Sequence, residues 1–199
     1  MRRPVGALWA ALVGLALTVA ASLGARDGVV SDVEQAVFRW INELPDWLER
    51  PMWALQLLGV LVTPIVVAVV ALALGKWRLA LALVLLAPLK LVAEREVLKK
   101  LVERQRPGQN EPGAILRDVP PAGLSFPSGH AIIAVAIATL LWPYLGPRGR
   151  VAAALLAVAV CVARTYLGAH NPLDVVAGAG LGLLLGGLLT LLVGVPRRR

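Results

Sequence analysis

Long apolar runs with few or no charged residues alternate with short polar segments along this chain. Six such runs cover residues 4–23, 51–75, 77–93, 129–147, 151–169 and 175–195. A helix needs about 20 apolar residues to cross the hydrocarbon core of a bilayer. The pattern therefore predicts an all-α polytopic membrane protein with six transmembrane helices. The third and fifth are the weakest of these predictions, because charged residues interrupt their runs.

The first apolar run allows two interpretations. It follows Arg2 and Arg3 and contains an Ala-Ala-Ser stretch from Ala20, which is typical of a signal peptide with its cleavage site. However, its length of roughly 20 uncharged residues exceeds a signal-peptide core of about 7 to 15. The length favours a retained transmembrane helix.

Two segments are too long or too patterned to be simple connections. Residues 99–127 form the longest polar stretch of the chain. Residues 26–50 mix charges with apolar side chains at a spacing near 3.6, namely Val33, Val37, Trp40, Ile41, Leu44 and Trp47. This period predicts an amphipathic helix that lies in the membrane interface between the first and second spans.

The composition agrees with a membrane protein, since 58% of the residues are hydrophobic and only 16% are charged. The net charge of +8 does not indicate nucleic-acid binding, because the cations do not form a basic face interleaved with aromatic residues. Cys161 is the only cysteine, so the chain cannot form an intramolecular disulfide.

The distribution of charge predicts an orientation in the membrane. Six crossings would place both termini and two short turns on one side, with nine cations and no acid: Arg2, Arg3, Lys76, Arg78, Arg148, Arg150, Arg197, Arg198 and Arg199. All 12 acids would lie on the other side. Because the nine cations are concentrated in short turns and tails, we expect cytoplasmic termini and an extracytoplasmic 99–127 loop.

The first candidate site segment contains Lys99 and Arg106. They are seven residues apart, two helical turns, and share a face if the third span continues as a helix up to the proline that follows. Two cations on one face can hold a phosphate, Arg106 as a bidentate fork and Lys99 as a point charge. The alternative is a solvated helix end with Glu96–Lys100 and Lys99–Glu103 pairs.

The second segment, Phe126-Pro127-Ser128-Gly129-His130, comes directly before the fourth span. Ser128 is a residue type that is preferred at a helix N-cap. The free N–H groups of Gly129 and its neighbours would then form an anion site at the positive end of the helix dipole. His130 would face that site from the first turn. A helix start whose histidine reaches water is the alternative.

The third segment leads from the fifth span into the sixth. Asn171 is a predicted cap with Pro172 at the first helical position, which makes Asp174 the third residue of the helix. The carboxylate of Asp174 could complete that cap, or reach back four residues and orient the imidazole of His170 for nucleophilic attack. Arg164, at membrane depth, needs an anionic partner such as phosphate.

Taken together, the three segments resemble the type 2 phosphatidic acid phosphatase superfamily, with its pattern Lys-x6-Arg-Pro, Pro-Ser-Gly-His and Ser-Arg-x5-His-x3-Asp. Lys99 to Pro107 matches the first motif and Pro127 to His130 the second. Arg164, His170 and Asp174 match the third, while Ala163 replaces the usual serine. The resemblance covers about residues 99–182 of a chain that we expect to form one domain over 1–199.

The resemblance implies phosphate transfer to histidine without a metal ion or cofactor. His170 would be the nucleophile, Asp174 would stabilise its charge, and His130 would protonate the leaving oxygen. The phosphate-binding residues would be Lys99, Arg106, Ser128, Gly129 and Arg164.

Substrate identity is less constrained. An outward-facing site in the inner (plasma) membrane favours a polyprenyl pyrophosphate such as the undecaprenyl carrier. Phosphatidate, phosphatidylglycerophosphate and a prenyl-linked sugar phosphate are alternatives. Vanadate-dependent haloperoxidases share the phosphate-site pattern but are soluble, which six predicted spans argue against. The non-enzymatic alternative is a transporter or flippase for phosphate headgroups, which would need the cations but no nucleophile.

The sixth span carries a further pattern. Asp174, Gly178, Gly182 and Gly186 recur at intervals of four and share one helix face. Small residues at this spacing let membrane helices approach closely. We expect this face to pack inside the bundle and to fix the outer end of the helix that carries Asp174.

Overall fold

The computed structural model describes residues 4–195, which fold into helices with no strand beyond a single bridge between Gln105 and Leu124. The α-helices are α1 (Val5–Ala25), α2 (Asp32–Asn42), α3 (Glu49–Gln56), α4 (Thr63–Ala73), α5 (Trp77–Leu91), α6 (Lys99–Leu101), α7 (Pro107–Asn110), α8 (Gly129–Leu141), α9 (Pro147–Tyr166) and α10 (Pro172–Val193). Short 3₁₀ helices cover Asp46–Leu48, Leu57–Gly59 and Trp142–Tyr144, and a π-helix covers Val92–Leu98.

Among the described residues, three helices are long and apolar enough to cross a membrane: α1, α9 and α10. A fourth candidate is the pair Asp46–Gly59 and Thr63–Ala73, which is bent by 64°. The apolar helix Gly129–Tyr144 is shorter, and α5 runs for 15 residues before the π-helix begins. The chain is therefore an all-helical membrane protein, while the count of six spans stays a prediction.

The bend in the predicted second span lies beside the second motif. A Cβ atom built on Gly59 would come within 2.7 Å of both the Cβ and the carbonyl oxygen of His130, so only glycine allows this approach. The helix resumes at Thr63 with Pro64 in its first turn, where a missing N–H has no cost. The break thus brings backbone to the start of α8.

Helix α10 lies at the centre of the bundle, between α8 and α1. Cβ atoms built on Gly178 and Gly182 would lie 2.5 and 2.7 Å from the carbonyl oxygens of Ser128 and Ile132 in α8. On the opposite face, a Cβ atom on Gly187 would lie 2.8 Å from the backbone nitrogen of an α1 alanine. The predicted packing of the glycine face inside the bundle is confirmed, and the close approach holds the N-terminal half of α10 against α8.

The two turns predicted to be cytoplasmic lie close together, at the end of the bundle opposite to the start of α10. Arg78 Nη1 donates to the carbonyl oxygen of Val193 at 2.7 Å, and Lys76 Nζ lies 5.9 Å from the centre of the Tyr144 ring. The turns before α5 and α9 therefore share an end with the C-terminus of α10. Arg2, Arg3, Arg197, Arg198 and Arg199, also assigned to this side, lie outside the described residues.

Helix α2 is amphipathic but shorter than the 26–50 segment that predicted it. Its buried stripe is formed by Glu34, Phe38 and Asn42, at intervals of four. Val33 and Trp40 are 75% and 73% exposed, so these two apolar side chains face away from the protein. This arrangement differs from that of a water-soluble amphipathic helix, because two polar residues, Glu34 and Asn42, contact the bundle together with Phe38.

Candidate active site

The three motif segments meet where α8 and α10 begin and α9 ends. The Ser128 N–H donates to the carbonyl oxygen of Asp174 at 2.9 Å, which joins the second segment to the third. Arg106 Nη1 donates to the carbonyl oxygen of Ala169 at 3.1 Å, which joins the first to the third. The fold thus brings together residues that are up to 75 positions apart in the sequence.

His170 and Asp174 lie side by side without a hydrogen bond. Nδ1 of His170 is 3.8 Å from Oδ2 of Asp174 and has no hydrogen-bond partner. The Asn171 N–H donates to the same carboxylate oxygen at 2.9 Å. Asp174 therefore completes the predicted helix cap and also faces the imidazole, while its role in orienting His170 for attack stays a prediction.

Burial in this loop controls the charge of His170, which lies between α9 and α10. Burial, followed by the positive charges of Arg164, Arg106 and Lys99, lowers the pKa of His170 well below its usual value. The imidazole is therefore neutral, and a neutral ring nitrogen keeps the lone pair that a nucleophile requires.

Two partners of Asp174 were missed by the sequence analysis. Ser125 Oγ donates to Oδ2 at 2.6 Å, and Arg104 Nη1 donates to Oδ1 at 3.2 Å. Arg104 is fully buried and also pairs with Glu34 of α2, at 2.8 and 2.5 Å. Arg104 stands two residues before Arg106, and in an extended segment such residues share a face. A prediction of extended backbone for this segment would therefore have placed Arg104 beside Arg106 as a candidate site residue.

The first motif segment is not a helix up to Pro107, which corrects the prediction for Lys99 and Arg106. Helix α6 ends at Leu101, and the next residue has extended dihedral angles. The Ser125 N–H donates to the carbonyl oxygen of Arg104 at 2.8 Å, so this segment pairs with residues 124 and 125 instead of continuing the helix. Lys99 and Arg106 reach the site from different local structures.

Lys99 lies in a buried charge cluster. Its Nζ is 3.1 Å from Oε1 of Glu94, and Glu94 also forms an ion pair with Lys90. A Cβ atom built on Gly129 would lie 2.8 Å from Lys90 Nζ and 3.1 Å from Glu94 Oε1, so the cluster adjoins the start of α8. The predicted Glu96–Lys100 pair is present at 2.6 Å on the surface.

The start of α8 has the predicted form. Ser128 is the N-cap, and its buried Oγ has no hydrogen-bond partner. Gly129 follows as the first residue of the helix, and His130 is partly buried against Gly59. A free hydroxyl beside free helical N–H groups can bind an anion.

Arg164 is buried at the end of α9. Its Nη1 donates to Gln56 Oε1 in α3, and its Nε has no partner. Sequence reasoning missed Gln56, which is uncharged and lies in an apolar segment. An unpaired buried polar atom costs about 1–3 kcal/mol. Ser128 Oγ and Arg164 Nε are both of this kind, and such donors are suited to a polar anionic ligand.

Within residues 4–195, no group of three or more His, Cys, Asp or Glu side chains is arranged to hold a metal ion. A cavity of about 630 Å³ lies elsewhere, at the opposite half of the bundle between α1, α8, α9 and α10. It is lined mainly by apolar side chains such as Ala154 and Leu183, and none of the motif residues borders it. The cavity is thus separate from the candidate site.

Comparison with known proteins agrees with the motif pattern. The model of the PAP2 superfamily matches residues 53–198. Decaprenylphosphoryl-5-phosphoribose phosphatase from Mycobacterium tuberculosis is 36% identical over 93 residues, 47% of this chain and 50% of that protein. Phosphatidylglycerophosphatase B from Bacillus subtilis is 34% identical over 100 residues, 45% of this chain and 46% of that protein. The matches thus span about half the length of these curated relatives.

One solved structure extends the similarity to nearly the whole fold. The transmembrane PAP2-type phosphatidylglycerolphosphate phosphatase from Bacillus subtilis superposes with a TM-score of 0.66 at 26% identity, and the match covers 96% of this chain and 95% of that one. The similarity therefore includes α1 and α2, which precede the region matched by the family model.

Proposed function

This chain belongs to the PAP2 superfamily, and we propose that it is a membrane-embedded phosphatase that removes phosphate from a lipid phosphate or pyrophosphate through a phosphohistidine intermediate. The observation that carries this proposal is His170. Its imidazole is buried and neutral, its Nδ1 atom is unpaired, and Asp174 lies 3.8 Å away. Pure headgroup binding would need the surrounding cations but not this pair.

The arrangement supports the following chemical sequence. Nε2 of His170 attacks phosphorus, and the bond from phosphorus to the lipid oxygen breaks. His130, protonated beside the bound phosphate, gives this proton to that oxygen and becomes neutral. The imidazole of His170 becomes positively charged, and Asp174 stabilises the charge at Nδ1. Water then attacks the phosphohistidine, His130 takes a proton from that water, and inorganic phosphate leaves.

Phosphate binding is assigned to residues that surround His170. Arg106 donates to the carbonyl oxygen of Ala169, next to His170 in the chain, and Arg164 has an unpaired Nε at the end of α9. The orphaned Oγ of Ser128 and the Gly129 N–H lie at the start of α8. Lys99 joins them once its pairing with Glu94 is weakened. Fixed donors of this kind stabilise the charge that develops on the equatorial oxygens. No metal ion takes part in this proposal.

The substrate that we favour carries a polyprenyl chain. Topology supports an extracytoplasmic site, because the motif end of the bundle lies opposite the cationic end marked by Lys76, Arg78 and Arg150. The name of the mycobacterial relative describes a decaprenyl-linked sugar phosphate. A polyprenyl phosphate ester therefore joins polyprenyl pyrophosphate as a leading substrate, with phosphatidylglycerophosphate as the alternative that the Bacillus subtilis relatives favour.

The membrane arrangement completes the proposal. Six spans would include the bent α3–α4 pair, α5 with its π-helix, and the short α8. Helix α2 would lie in the outer membrane–water interface. Its exposed Trp40 and Val33 would face the lipid, and its buried stripe would face the protein. Both termini would be cytoplasmic, in the inner (plasma) membrane.

The proposal is tested by phosphate release from purified protein in detergent with EDTA. The substrates are a polyprenyl pyrophosphate, a polyprenyl-linked sugar phosphate and phosphatidylglycerophosphate, assayed in parallel. We expect the wild type to release phosphate from at least one, and His170→Ala to release none above background. Equal release by the two proteins would exclude the histidine mechanism. Binding without release by the wild type would support the transporter alternative.

A further inference from the structure

Glu34 of α2 lies beneath the site, in a part of the chain that precedes the region matched by the family model. We propose that Glu34 and Arg104 are positioning residues: Glu34 holds the charge of Arg104, so that Asp174 keeps its own negative charge for His170. This inference rests on the proposed function, because it assigns a role within the same reaction. It makes α2 part of the catalytic unit.

The geometry of Arg104 is asymmetric. Both terminal nitrogens donate to Glu34, Nη1 to Oε1 at 2.8 Å and Nη2 to Oε2 at 2.5 Å. Only Nη1 reaches Asp174, at 3.2 Å. A bidentate pair is stronger and shorter than a single contact. Arg104 is thus primarily the partner of Glu34 and only secondarily that of Asp174.

This asymmetry decides the charge that His170 experiences. Arg104 and Glu34 together are neutral, and Asp174 adds one negative charge. If Glu34 were uncharged, Arg104 would pair with Asp174 alone, and that pair would be neutral. A neutral pair cannot stabilise the positive imidazole that forms when His170 attacks phosphorus. Because all three side chains are buried, solvent does not screen the difference.

Helix α2 is held firmly enough for this role. Glu34 Oε1 also accepts the N–H of Leu173, in the first turn of α10, at 2.8 Å. Phe38, one turn later, is 1% exposed. Asn42, a further turn on, donates to the carbonyl oxygen of Tyr166 at 2.9 Å at the end of α9. Glu34 and Asn42 therefore join α2 to the start of α10 and the end of α9, and the turn between them is anchored by the buried Phe38.

A purely structural role is the competing explanation, because breaking any buried ion pair destabilises a fold. The two roles differ for the double variant. Glu34→Gln alone leaves Arg104 to neutralise Asp174. Glu34→Gln with Arg104→Gln removes both charges, so that no other cation competes with the imidazole for the Asp174 carboxylate, which Ser125 and the Asn171 N–H still hold. A structural role predicts that the double variant is no faster than the single one.

The experiment measures kcat, KM and thermal stability for the wild type, Glu34→Gln and the double variant, with Asp32→Asn as the control on the exposed side of α2. We expect Glu34→Gln to lower kcat by at least about tenfold with KM unchanged, because the negative charge that stabilises the imidazole of His170 is neutralised. The double variant should recover most of that loss, and the control should match the wild type.

Wild-type kcat in folded Glu34→Gln, or a double variant no faster than the single one, would overturn the inference. If Glu34→Gln does not fold, the double variant decides alone: a kcat within about tenfold of the wild type supports the inference, and a larger loss overturns it. His170→Ala also separates the two proposals, because only its activity tests the phosphohistidine mechanism itself.

Discussion

Oδ2 of Asp174 lies 3.8 Å from Nδ1 of His170, while Ser125 and the Asn171 N–H already donate to that oxygen at 2.6 and 2.9 Å. The carboxylate is therefore fixed before any substrate binds. Only a small shift of the imidazole is needed to form the hydrogen bond. Orientation of the nucleophile thus depends on the first turn of α10, which is itself held against α8.

Replacing Asp174 with Asn tests this relationship. The amide cannot stabilise a positive imidazole, so we expect kcat to fall by about two to four orders of magnitude, as in other sites with a carboxylate–histidine pair. Steady-state phosphate release is the measurement. Asp118→Asn, which changes an exposed acid between α7 and α8, serves as the control and should retain wild-type kcat. Comparable turnover in the two variants would remove Asp174 from the mechanism.

The ionisation of His170 can be measured directly. The chain contains only two histidines, so a His130→Gln variant with isotope-labelled histidine gives one imidazole signal in NMR spectra. Burial, then Arg164, Arg106 and Lys99, lowers the pKa of His170, so its ring should be neutral at pH 6.5 and gain a proton only at a lower pH. A ring that is half protonated at pH 6.5 or above would contradict the buried site.

Glu94 competes with phosphate for Lys99. Its carboxylate lies 3.1 Å from Lys99 Nζ and pairs with Lys90 beside Gly129. Glu94→Gln should free both lysines and make inorganic phosphate a stronger inhibitor, by roughly tenfold if one charged hydrogen bond is gained. Glu96→Gln, which disrupts only the exposed pair with Lys100, is the matched control. An inhibition constant that moves equally in both variants would argue against this role for Glu94.

Close packing of α10 on α8 is tested by Gly182→Leu. A Cβ atom at this position would lie 2.7 Å from the carbonyl oxygen of Ile132 and 2.9 Å from the Cβ atom of Val135, so the helices must separate. Overpacking of this kind costs about 1–3 kcal/mol, and the start of α10 would move with it. We expect lower thermal stability and lower turnover. Gly6→Leu, where no described atom lies within 4 Å, is the control; unchanged stability and turnover in Gly182→Leu would refute the packing argument.

Local signals in the sequence predicted the parts of the site that form locally. The Asn171–Pro172–Asp174 helix start, the Ser128 cap and the glycine face of α10 all have short-range causes, and the structure contains them. The family resemblance is confirmed by the match over residues 53–198.

Features that depend on distant segments were not predictable in the same way. Residues after Leu101 leave the helix because they pair with residues 124 and 125. Arg104 can be buried because it pairs with Glu34, which lies 70 positions earlier in the chain and is not visible in the local sequence. The bend at Gly59 requires the approach of α8, and an apolar run alone carries no sign of it. Gln56 accepts a hydrogen bond from Arg164, but no local sequence pattern distinguishes it from a residue that only packs in the core.

The most direct test of the account is to trap the covalent intermediate. The wild-type protein is mixed with a lipid substrate that carries a radiolabelled phosphate, quenched with alkali and digested, and the labelled peptide is sequenced by mass spectrometry. We predict acid-labile phosphate on His170, absent from His170→Ala and formed at least as fast as steady-state turnover. Turnover without any phosphohistidine, or with the label on another residue, would contradict the assignment of His170 as the nucleophile.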